Sequence, residues 1–136
     1  MSDLLRRQGA TQKTMAKYRH RPFDWRNRAS CIHMARFHMR QMGHRPPTVP
    51  DFRSALGALR ALERTGFADV AALFDSLAPR IAPAAMLLGD IAVCPGDDGL
   101  DAILISAGGK MLGWHQDDES GLKPLIVSEL VGAWRL

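Results

Sequence analysis

The sequence predicts an α+β domain with N-terminal helices followed by a small antiparallel sheet, and three observations predict it. Apolar residues recur at helical spacing through the first 77 positions. From Gly89 the period changes to short apolar runs, "DIAVC", "DAILIS", "KMLGW" and "PLIV". Those runs are separated by "PGDDG", "AGG" and "QDDESG", which are turn chemistry. Helices first and strands afterwards is the α+β signature.

Taken in order, "TQKTMAKYR" (residues 11–19) is built mostly of residues that tolerate a helix, and the polar chain before it is expected to be mobile or ordered by a partner. Pro22 has no N–H and disfavours helix at Arg21. Phe23 and Trp25 then offer apolar anchors. Ser30 is an N-cap candidate for a helix from about Cys31 to Met42, with Ile32, Ala35, Met39 and Met42 as its apolar stripe and Gly43 beyond its end. "HRPPTVP" reads as a rigid extended connector. Asp51 is expected to cap a helix over Phe52 to Arg64 whose core residues are Phe52, Leu56, Leu59 and Leu62, with Gly66 ending it. Asp69 opens another over Val70 to Leu77, closed by "APRIAP", and Ala84 to Leu88 reads as a short turn. The final "SELVGAWRL" reads as a helical turn and a short terminal strand anchored by Trp134. The organisation expected is a basic arm or helix at 1–20 and a single domain at 21–136.

A chain of 136 residues buries roughly two thirds of its unfolded surface, so disulfide staples are not needed for a core. Composition, 46% apolar and 24% charged, is that of a globular protein. No stretch approaches the ~20 apolar residues of a membrane span, and "MSDLLRRQGATQKT" lacks the apolar region of a secretory signal. Two cysteines, Cys31 and Cys94, do not make a disulfide scaffold, and a reducing compartment is expected.

Charge is unevenly spread. Residues 1–46 carry eleven Lys or Arg against Asp3 and Asp24, whereas residues 47–136 carry seven basic and twelve acidic residues. Such a basic block suits an anionic partner, or it is solvated and pairs with the acidic half of its own fold or a neighbour's. Lys13, Lys17, Arg19 and Arg21 are the candidate docking residues. A nucleic-acid reading uses the same block, with Tyr18, Phe23 and Trp25 as stacking faces, but no nucleic-acid fold signature accompanies it.

Cys31 is the candidate nucleophile. A cysteine opening a helix has N–H groups and a dipole that favour the thiolate, with Arg26 and Arg28 close in sequence. A small buried residue is the inert alternative, and Cys94, mid-strand, reads as core. A metal reading of Cys31, His33, His38 and His44 is weak. Cys31 and His38 share a helix face, but His33 does not, and there is no CxxC or HExxH. No cofactor motif is present.

The stretches "RPFDWRNRASC" (21–31), "LGDIAVC" (88–94) and "GAWRL" (132–136), in that order, resemble the NlpC-like branch of papain-fold endopeptidases. Within that branch the resemblance is closer to a group of short phage and prophage proteins that typically read "RPFxWGxxDC", "RGDVVLV" and "RAWRV". The resemblance implies a papain-like fold and peptidoglycan as the substrate class. It also implies a place in the phage tail tip among other tail proteins, in a virion assembled in the bacterial cytoplasm. It puts Cys31 at the nucleophile and Asp101 at the base histidine. Gly113 falls near the third polar residue, with His115 two positions on. Three positions depart from the pattern: Ser30 for Asp, Arg26 for Gly, and Asp101 for His. An aspartate, with an ordinary pKa of ~3.9, is a poor proton acceptor at neutral pH. The expectation is therefore a tail-tip assembly component with a degenerate peptidase site. The alternatives are an active peptidoglycan endopeptidase using Cys31 and His115, and a nucleic-acid binder.

Overall fold

The computed structural model describes residues 3–96, 100–114 and 120–136. Four helices come first: α1 (Asp3–Tyr18), α2 (Cys31–Gln41), α3 (Ala55–Thr65) and α4 (Val70–Asp75). Six short strands follow: β1 (Arg80–Ile81), β2 (Ile91–Cys94), β3 (Ala102–Ser106), β4 (Met111–Gly113), β5 (Lys123–Leu125) and β6 (Gly132–Trp134). They form one antiparallel sheet in the order β1-β6-β2-β3-β4-β5. The α+β expectation therefore holds, and no helix among the described residues is long and apolar enough to cross a membrane.

Strand alternation sorts side chains onto two faces. Ile91, Val93, Ile103 and Trp134 pack with α2, α3 and α4 in the main core. Ile105 and Leu112 continue that layer under α1 and α2, where Tyr18 and Met34 are buried. Ala92, Leu104, Met111 and Ala133 line the opposite face, covered by Ile81, Met86, Val127 and Leu130.

Caps explain most helix limits. The Ser30 hydroxyl accepts the His33 N–H at 3.3 Å. At the other end of α2, His44 N–H donates to Met39 O (2.8 Å) and Gly43 N–H to Arg40 O (3.0 Å), with Gly43 left-handed at φ 94°. Asp69 caps α4 through Ala72 N–H at 2.8 Å. The α3 cap is Ser54, whose hydroxyl accepts Gly57 N–H at 3.0 Å, and not Asp51. The helix consequently starts at Ala55 and turns Ala58, Ala61 and Leu62 inward, leaving Leu56 57% exposed. Arg80–Ile81, read as a closing loop, is a strand because it pairs with β6; the segment before β6 contains no helical turn.

The N-terminal segment differs most from expectation. Helix α1 begins at Asp3, not near Thr11, and buries Arg7, Ala10, Thr11, Thr14 and Tyr18. Its first two turns are held by polar contacts. Asp90, with no solvent exposure, accepts from Arg7 Nη1 (2.7 Å) and Leu136 N–H (2.9 Å) on one oxygen. On the other it accepts Leu87 N–H (2.8 Å) and faces Arg135 Nε at 3.0 Å. Arg7 also donates to Leu88 O (2.9 Å) and Asp3 (2.7 Å). Next to this hub, the buried His38 ring spans α1 and the turn before β2. Its Nε2 lies 2.8 Å from Gly89 O and its Nδ1 2.8 Å from Thr14 Oγ1. A carbonyl only accepts, so Nε2 carries the ring's proton, and the single Thr14 hydroxyl hydrogen is shared between Nδ1 and Ala10 O, which is 3.0 Å away. Gly89 is required there: its φ is 85°, and a Cβ would meet Thr11 Oγ1 at 3.1 Å and Met42 at 3.4 Å.

Two outcomes are expected. Replacing Asp90 by Ala strands the buried Arg7 and should cost about 3–5 kcal/mol in urea unfolding. Burial lowers the His38 pKa to about 4. Between that value and ~6.5 the unfolded chain binds the extra proton, so stability is complete above the unfolded pKa and is lost as pH falls towards 4. The loss from pH 7 to pH 4.5 should be on the order of 2–3 kcal/mol and should shrink in His38→Gln.

Candidate functional site

The loop before α2 is a tight link. Asp24 and Ala29 exchange two backbone hydrogen bonds of 3.1 Å. The Asp24 carboxylate accepts from Arg26 N–H at 2.9 Å and from the Asn27 amide. This link delivers Ser30 to its cap position and Cys31 to the first turn of α2, against β3.

Cys31 lines a cavity of about 60 Å³ together with Phe23, Trp25, Leu100, Asp101 and Trp114. Such a volume accommodates a few waters and not a peptide. Its aromatic lining is interlocked: Phe23 stands edge-on to Trp25 at 4.9 Å and to Trp114 at 5.7 Å, and Trp25 packs in turn on Phe52 at 6.0 Å. Phe23 and Trp25 are thus anchors, as the sequence suggests. Trp114 Nε1 donates to Arg21 O (2.8 Å), fixing the end of β4 against the loop.

The thiol is 8% exposed, and burial pushes its pKa up to about 11. Backbone N–H groups of Ile103, Cys31 and Ile32 act the other way but do not offset it. The activation expected of a helix terminus is therefore overridden. Arg26 and Arg28 do not help: both are exposed, and Arg28 faces Asp51 at 3.6 Å.

Asp101, immediately before β3, shares the cavity with Cys31. Among the described residues lining it there is no imidazole. His33 bonds Ser30 through Nδ1 (2.8 Å) and lies on Phe52 at 4.7 Å; His38 is held as above; His44 reaches Leu136 O at 3.3 Å. His115 lies outside the described residues. Gly113, at the end of β4, has no side chain with which to orient a base, and a Cβ there would meet Leu104 at 2.5 Å. Cys94 is half-buried, on the sheet face opposite Cys31, so the two do not pair. Among the described residues no group of three His, Cys, Asp or Glu could hold a metal ion.

The four candidate docking residues separate. Lys17 and Arg21 meet in a groove that Arg28, Arg36 and Arg40 complete, which sequence spacing does not reveal. Arg19 lines a different, apolar groove between α1 and the sheet, with Met15, Leu88, Leu112 and Pro124. Lys13 is exposed on α1 and lines neither.

A pKa near 11 leaves roughly one Cys31 in several thousand as thiolate at pH 7.5, against about a tenth for an unperturbed thiol. Iodoacetamide should therefore label native Cys31 at least about 100-fold more slowly than the unfolded chain. Peptide mapping after timed labelling measures this, and equal rates would contradict the buried geometry.

Neither a curated protein nor a solved structure matches the chain. Residues 5–136 match the family described as a domain of unknown function, DUF6950. That match covers all four helices but for the first two residues of α1, together with the whole sheet and the Cys31 cavity, and the chain accordingly belongs to this family.

Proposed function

We propose that the chain is a papain-type, NlpC-like scaffold whose peptidase site is retired, serving as a structural and assembly component of a phage or prophage tail tip. The observation that carries the retired site is the Cys31 cavity. A thiol at a helix start packs against the first residues of β3, where a papain-type enzyme needs its base, and the titratable residue that lines the cavity with it is Asp101. Nucleophilic catalysis needs a base within hydrogen-bond reach and a third group to orient it. The small, ring-lined cavity and the raised thiol pKa both favour an inert reading. Support for the tail-tip role is the order of the three resembling stretches along nearly the whole chain. In this reading the basic face around α1, with Lys13, Lys17 and Arg21, meets acidic faces of neighbouring tail proteins in the virion.

Purified protein incubated with cell-wall sacculi should release no muropeptides above background and should match Cys31→Ser. Release that vanishes in Cys31→Ser would establish the active endopeptidase instead, with His115 the first base to test. Tails purified from a producing strain should contain the protein, and its absence from them would remove the tail assignment.

A further inference from the structure

We infer that the groove formed by Lys17, Arg21, Arg28, Arg36 and Arg40 is a docking site for an acidic segment of a protein partner, taking successive Asp or Glu side chains in extended conformation. This deepens the assembly reading above and rests on it for the partner's identity.

The groove holds about 400 Å³ between the end of α1, the 21–28 loop and one face of α2. Tyr18, Asn27, His33 and Phe37 complete its lining, and no carboxylate belongs to it. Among the described residues Lys17, Arg21, Arg36 and Arg40 have no carboxylate partner; Arg28 has only Asp51, at 3.6 Å and largely exposed. Three of the cations have partners that hold their side chains along the groove. Arg21 donates to Asn27 O (2.6 Å) and lies 5.5 Å from the Tyr18 ring centre. Arg36 donates to Pro47 O (3.2 Å), and Lys17 sits 4.3 Å from the Phe37 ring centre. Arg28 stands in the left-handed region at φ 58°, uncommon for a residue with a Cβ. Burial and then Arg40 and Arg28 lower the Arg36 pKa, and burial with Arg28 and Arg36 lowers His33 to about 4. The unbound groove is thus one of like charges pressed together, and guanidinium forks are suited to carboxylates.

Spacing selects the occupant. His33 to Arg40 covers roughly 10 Å of helix axis, and Arg36 to Arg40 roughly 6 Å. Alternate side chains of an extended peptide recur at roughly 6.6 Å, so carboxylates at every second position meet successive cations. A single phosphate ion reaches only part of that length. A nucleic-acid strand needs open ring faces for its bases, and here Lys17 lies over Phe37 while Arg21 lies over Tyr18.

The test uses the full chain and a fluorescein-labelled hexaglutamate peptide, read by anisotropy, with inorganic phosphate and an oligothymidylate as competitors. Binding should be salt-sensitive. It should weaken about tenfold or more in Arg40→Glu, an exposed position, and also in Lys17→Gln. It should stay unchanged in Arg19→Glu. In proton NMR the bound peptide should raise the His33 pKa above its free value. No binding by the wild type, or equal loss in Arg19→Glu, overturns the groove. Tighter binding of the oligothymidylate overturns the protein partner in favour of nucleic acid, and displacement by phosphate at the peptide's own concentration overturns the extended segment. If the peptide binds as expected but the wild-type protein is absent from purified tails, the tail-tip reading fails and the groove stands.

Discussion

The structure depends on one carboxylate that never meets water. Asp90 sits where the chain turns into β2, and its two oxygens face Arg7 from α1, Arg135 and the Leu136 N–H next to β6, and the Leu87 N–H of its own turn. A buried charge is costly unless fully partnered, and each partner here comes from a segment distant in sequence or from the turn itself. The arrangement is therefore satisfied in only one mutual placement of α1, the central strand and the end of the chain. A well-packed apolar substitute for all the partners would stabilise as well but would not specify that placement so strictly. His38 adds a second polar tie between the same elements, and its neutral ring needs both Thr14 and Gly89 O in place.

The placement fixes the fate of Cys31. Once α2 is drawn against the sheet by Met34, Ala35, His38 and Met39, its first turn must lie on β3. Two effects then compete at the thiol. A helix terminus contributes typically 0.3–1 kcal/mol toward the anion, which is less than one pKa unit. Full burial contributes up to several units in the opposite direction. The larger effect wins, and the rings of Phe23, Trp25 and Trp114 contribute to it by lining the small cavity beside the thiol. Reactivity at this position would need an opened cavity, a base, or both, which is why a helix-start cysteine in the sequence is weak grounds for catalysis.

Local chemistry was legible in the sequence where a single side chain decides it. Ser30, Gly43, Gly66 and Asp69 mark helix limits because capping is a contact over two or three residues. The four apolar runs after Gly89 became strands for the same reason. What could not be read depends on distant partners. The first turns of α1 are tied down by Arg7 reaching Asp90, 83 residues away. Two-residue β1 exists only through β6. Ser54 displaced Asp51 because its hydroxyl is the one that meets a free N–H once Phe52 is buried. The Cys31–Asp101 neighbourhood followed from motif order, whereas the basic groove did not, since Arg36 and Arg40 look like any solvated helix face until α1 is laid beside them.

That last point ties the charge asymmetry to the fold. The basic half is neutralised only in part: among the described residues Arg6 and Arg7 pair with Asp3, Arg7 also reaches Asp90 and Arg28 faces Asp51, and the cations along the α1–α2 seam are left over. Like charges at such separation repel, so something must hold the two helices together despite them. Tyr18 does so at 1% exposure, edge-on to Phe37 at 6.0 Å and to Trp114 at 5.4 Å, with Met34 and Leu122 packed in the same cluster. The rings that close the seam are also the rings over which Lys17 and Arg21 lie. Apolar burial at the seam is thus the source of the stability that keeps the cations aligned, and the repulsion so stored is what an anionic partner would relieve.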